Sequence, residues 1–241
     1  MPVAGLAAQR PEHVVAPLDE QAAQRGGRLR ASDVGVRGRH RLRRERAHQV
    51  GAADDLTLLS GLLDGSVRLD GLTVDTDLRW ALLERLVSRG GPGVAEIDAE
   101  LARDATDAGE RHAATCRAAI PTAEAKREAW RALTGGELTI AMFRATLAGF
   151  VDLDHEELIE GYRDDYFDVV GDAWRDWSSA MAQDFVSGAY LVGALSPETV
   201  AATDAYITRT EPPAALRRLL IEGRDDMLRA LRCQARDRQA S

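Results

Sequence analysis

In DTDLRWALLERLVSR (residues 75–89), Leu78, Leu82 and Leu86 form one apolar stripe, and Trp80, Leu83 and Val87 form a second beside it. An apolar arc that wide predicts a helix covered on more than one side. GDAWRDWSSAMAQDFVSGAY (residues 171–190) reads as a helix with Trp174, Trp177, Met181 and Phe185 along one face. The last helical stretch carries Leu216, Leu220, Met227 and Leu231 on its apolar side.

Punctuation between these stretches is clear. Asp75 or Thr76 supplies a cap, and Gly90-Gly91-Pro92 ends the helix that follows. Thr122, after Pro121, caps TAEAKREAWRALT, which stops at Gly135-Gly136. Ser196 followed by Pro197 places a cap and then proline at the first helical position, and Glu211-Pro212-Pro213 opens the last helix. A short extended piece near Ser66–Leu69 is the one strand candidate. The pattern predicts about nine helices of roughly 10 to 20 residues and an all-α protein. Short helices joined by tight turns favour antiparallel helix pairs stacked as a HEAT-like α-solenoid, a right-handed superhelix. An irregular helical bundle is the alternative.

Composition supports this picture. Aromatic residues make up only 5% of the 241 residues, while Ala, Leu and Arg abound. No apolar run is long enough to cross a bilayer, and the first residues lack a signal-peptide pattern, so a cytoplasmic protein without a membrane partner is expected. The two cysteines, Cys116 and Cys233, are too few for a disulfide framework or a thiolate zinc site. They are expected to be reduced thiols on helices.

Charge divides the chain into two regions. Residues 1–50 hold ten arginines and five carboxylates, a net of +5, which leaves −13 of the overall −8 for residues 51–241. The basic segment 1–50 has little helical periodicity and is read as a disordered extension or the product of a shifted reading frame. No aromatic side chain interleaves its arginines to stack bases, so nucleic acid is not the expected partner. Residues 51–241 form the helical domain. Lys126 is the chain's one lysine, and asparagine is absent. Both rarities point to a GC-rich gene.

The stretch DHEELI (residues 154–159) begins like the zinc-peptidase motif H-E-x-x-H, in which two imidazoles one helical turn apart bind the metal and the Glu acts as general base. Ile159 stands where the second His is required, and it cannot coordinate a metal. His13, His40, His48 and His112 share no ligand spacing with His155. The same residues make sense as a helix start. Asp154 is placed to cap, Glu157 to complete a capping box, and Glu156 and Glu157 to meet the helix dipole. Leu158, Ile159, Tyr162 and Tyr166 then supply a buried stripe.

Two other groupings carry possible chemistry. Asp164, Asp165 and Asp168, beside Arg163, resemble paired carboxylates for acid–base work, yet their spacing suits a solvated helix face better. His112 and Cys116, within GERHAATC, stand one turn apart as a thiol–imidazole pair would, yet two side chains on a packed or half-exposed helix face explain them better. No phosphate-loop, dinucleotide or nucleophile-elbow motif occurs. The sequence therefore nominates no catalytic residue, no metal ligand and no cofactor-binding residue.

DGLTVDTDLRWALLERLV (70–87), AEIDAELARDATDAGERHAATCRAAIPTAEAKREAW (95–130) and TDAYITRTEPPAALRRLLIEGRDDMLRALR (203–232) follow one another in an order and spacing that resemble the C-terminal helical domain of bacterial aminopeptidase N, of actinobacterial type. The resemblance spans about residues 51–241. It implies an α-helical superhelix that closes over the active-site cavity of a cytosolic zinc aminopeptidase and limits access of peptides. Zinc in that family belongs to a catalytic domain with H-E-x-x-H, a downstream Glu and G-x-M-E-N. This sequence has no H-E-x-x-H, and without asparagine it cannot contain G-x-M-E-N. Counting on from Ile159, the family's downstream Glu falls at Ser178. No zinc-ligand position carries over, and the resemblance implies a fragment that is inactive alone. Its expected partners are the catalytic part of an aminopeptidase and peptides at the concave face. An independent α-solenoid that binds other proteins is the alternative function.

Overall fold

The computed structural model describes residues 53–151, 153–190 and 195–240. Every regular element among them is helical, as the apolar periodicity predicts. The basic segment 1–50 lies outside the described residues. The chain divides into two compact units, Met1–Leu82 and Leu83–Ser241.

The described part of the first unit contains α1 (Ala53–Asp64) and the start of α2 (Thr76–Val87). Between them the expected strand at Ser66–Leu69 does not form. The Asp64 carboxylate accepts the Ser66 N–H at 2.8 Å, and the Val67 N–H turns back to the Gly61 carbonyl at 2.9 Å. These bonds curl the segment onto the end of α1, with Gly65 at φ 82° taking the left-handed conformation. β-branched residues alone do not make a strand when the backbone donors are already committed to a turn. Asp75 is the cap that begins α2, since its carboxylate accepts from Leu78 N–H at 2.9 Å. Arg79 then donates to the Leu63 carbonyl at 2.9 Å and ties the two helices of this unit together.

In the second unit, α2 is followed by α3 (Val94–Arg103), α4 (Asp107–Ala119), α5 (Ala123–Thr134) and α6 (Ile140–Phe150). A broken segment comes next: a 3-10 turn at Leu153–His155, the single-turn α7 (Glu156–Ile159) and a second 3-10 turn at Glu160–Tyr162. Then come α8 (Arg163–Asp176), α9 (Ser179–Gly188), α10 (Pro197–Thr210) and α11 (Ala214–Ala240). Thr106, Thr122, Thr139, Ser178 and Ser196 each cap a helix by accepting a backbone N–H through the side-chain oxygen. Sequence neighbours pack on each other from α3 to α6, and α4 also packs broadly on α6.

The helix expected across residues 171–190 is two helices. Trp177 is extended (ψ 166°), and Ser178 begins α9 by accepting from Met181 N–H. The break turns the Trp177 indole edge-on to Phe143 and Phe185, with centroids 5.9 and 5.1 Å away. Ring packing outweighs the continuation of one helical ladder here.

A scarcity of aromatics does not mean a thin core. Ten of the twelve aromatic side chains join one network in this unit. Trp130 stands 5.5, 5.2 and 5.9 Å from the rings of Phe150, Tyr162 and Phe185. Tyr166 stacks on Phe185 and donates its hydroxyl proton to the Val186 carbonyl at 2.9 Å. Leu216, Leu220 and Met227 of α11 are buried with them, while Leu231 packs at the edge.

Candidate functional site

The motif-like residues 154–159 occupy the broken segment after α6, and they do not begin a long helix. Asp154 is not the N-cap of α7. Its Oδ2 accepts from Arg85 Nη1 at 3.0 Å and Arg89 Nη2 at 3.1 Å, two guanidinium groups one turn apart at the end of α2. His155 takes the N-cap place of α7 without a side-chain capping bond. Its ring reaches across to Ser88, with Nε2 3.0 Å from the carbonyl oxygen. A carbonyl only accepts, so Nε2 carries the proton and donates. Nδ1 lies 3.5 Å from Glu157 Oε1. The capping box expected at Asp154 and Glu157 is thus replaced by a clamp on the last turn of α2. The sequence misled because a cap and a tertiary partner call for the same short carboxylate.

Zinc does not fit these residues. A hydrolytic centre needs three protein ligands around an open position. Here the imidazole Nε2 is held by a backbone carbonyl, Ile159 is fully buried in the aromatic core, and Ser178 caps α9. Among the described residues no group of three or more His, Cys, Asp or Glu side chains stands close enough to hold a metal ion.

The other candidates are equally quiet. Cys116 is buried, and burial, with Glu84 adding to it and Arg117 opposing, pushes its thiol up to about 12. A nucleophilic thiol needs the opposite shift. His112 is half-buried one turn earlier on the same helix. Asp164, Asp165 and Asp168 lie exposed on α8, with Asp164 accepting from Arg163 at 3.2 Å. A pocket of about 240 Å³ is lined by Trp174, Ala182, Gln183, Ala215, Arg218 and Leu219.

The most specific polar arrangement is one the sequence pattern hid. Lys126 is fully buried, and its Nζ donates to the carbonyls of Ala118 (2.8 Å), Gly149 (3.0 Å) and Phe150 (3.1 Å). These oxygens belong to the last turns of α4 and α6, where carbonyls lack helical partners and the dipole is negative. Three protons meet three acceptors, which an ammonium provides and a planar guanidinium does not. The face of the Phe150 ring adds a weak cation–π contact, with its centroid 5.9 Å away. Lys126 shares a helical face with Ala129, Trp130 and Leu133. That spacing on the apolar face is the signal the sequence carries for a buried lysine. Its work is to lock helix ends.

Gly149 explains how α4 and α6 come so near. A Cβ there would run into the Thr115 carbonyl oxygen and touch the Ala118 methyl. Thr115 Oγ1 itself lies 3.0 Å from the Ala145 carbonyl, across the same helix contact. Lys126 and Thr115 thus spend buried polar groups on joining helices.

Residues 32–229 match the ERAP1-like C-terminal domain family. The chain belongs to that family. The matched span begins inside the basic segment and ends within α11. The chain is also 45% identical over 216 residues to aminopeptidase N of Streptomyces lividans. The alignment covers 88% of this chain and 25% of that protein, so the chain spans about a quarter of the length of the relative it matches. An ERAP1-like C-terminal domain of helices is what the structure displays. Among the described residues, no helix is long and apolar enough to cross a membrane.

Proposed function

We propose that this chain is the C-terminal helical part of an aminopeptidase N, and that it packs on the zinc-bearing catalytic part to restrict which peptides enter the active-site cavity. The observation that carries this reading is the 45% identity to an aminopeptidase N across 88% of the chain. The helix pairs would form the HEAT-like superhelix, with its concave face toward the peptide. Zinc and the peptide-cleaving residues would come from the catalytic part. The setting would be the cytoplasm.

A fixed shape suits a cover better than a mobile one. The Lys126 joint and the close approach at Gly149 hold α4, α5 and α6 in one arrangement. The net −13 of residues 51–241 would disfavour acidic peptides at long range, an effect that salt would weaken.

The test is an assay of the purified 241-residue chain for zinc content and for hydrolysis of an aminoacyl-anilide. The chain alone should hold no stoichiometric zinc and release no product. Chelator-sensitive turnover by a clean preparation would overturn this reading.

A further inference from the structure

We draw no further inference here: the strongest candidate, the surface pocket lined by Trp174, Gln183, Arg218 and Leu219 where α8, α9 and α11 meet, carries nothing because nothing in the structure shows what fills it.

Discussion

Lys126 Nζ lies 2.8 Å from the carbonyl oxygen of Ala118, so the chain's one lysine closes the C-terminal end of the helix preceding its own. With Gly149 and Phe150 also accepting, this side chain joins three helices at one point. Replacing it leaves buried carbonyls without donors. Lys126→Met keeps much of the stem and removes the charge, and it should destabilise the protein by about 3 kcal/mol or more. Urea unfolding should show a lower midpoint with an unchanged slope. Lys126→Arg should also destabilise, because the guanidinium brings more bulk and the wrong donor geometry.

The same burial predicts a chemical signature. In the native protein an amine-acylating reagent should leave Lys126 unmodified, and in denaturant it should modify it fully. Mass spectrometry of the peptide containing residue 126 reads this directly. Rapid native labelling would contradict the buried placement.

Gly149→Ala should separate α4 from α6. The added methyl meets backbone, at Thr115, and backbone cannot swing aside as a side-chain tip does. A loss on the order of 2–4 kcal/mol is expected by chemical denaturation. The change should also weaken protection of the α4 amides in hydrogen exchange.

Alkaline pH should weaken the fold through two buried groups. Burial raises the Cys116 thiol and the Tyr190 hydroxyl to about 12 each, although the Thr203 hydrogen bond opposes the shift at Tyr190. Folded-state values above the unfolded ones mean that the contribution is complete below about pH 9 for the thiol and about pH 10 for the phenol. It is then lost as pH rises toward 12. Cys116→Ala should flatten the part of the curve that begins near pH 9. Thiol reagents should modify exposed Cys233 in the native state and spare Cys116.

The clamp on α2 should behave as a partly exposed ion pair. A double-mutant cycle of Arg89→Ala with Asp154→Ala should give a coupling of about 1 kcal/mol or less, reduced by salt. A coupling well above about 1 kcal/mol, unmoved by salt, would contradict the partly exposed pair seen here.

Much of this architecture was legible in the residues. The stripes of α2 are buried at Trp80, Leu82, Leu83, Leu86 and Val87, and the caps at Asp75, Thr122 and Ser196 stand where the Asp, Thr and Ser–Pro signals put them. Those features are local, set by bonds within three or four residues. What the residues hid is tertiary. Trp177 leaves the helical path for rings on other helices, and Asp154 gives up a cap for two arginines nearly seventy positions upstream. Lys126 finds acceptors 23 and 24 residues away. As for the site, Ile159 stands where a second zinc-binding His would be needed, and His155 donates to the Ser88 carbonyl. Spacing along a chain cannot report such partners, because one short polar side chain serves cap, clamp and ligand alike.

The proposed role is tested most directly by adding the chain to Streptomyces lividans aminopeptidase N from which the matching quarter has been removed. Hydrolysis of a small aminoacyl-anilide is then compared with hydrolysis of longer peptides, with and without the chain. The account predicts that the chain binds the truncated enzyme and changes the long-peptide rate relative to the anilide rate, adding no activity of its own. Absence of binding together with an unchanged ratio would contradict it.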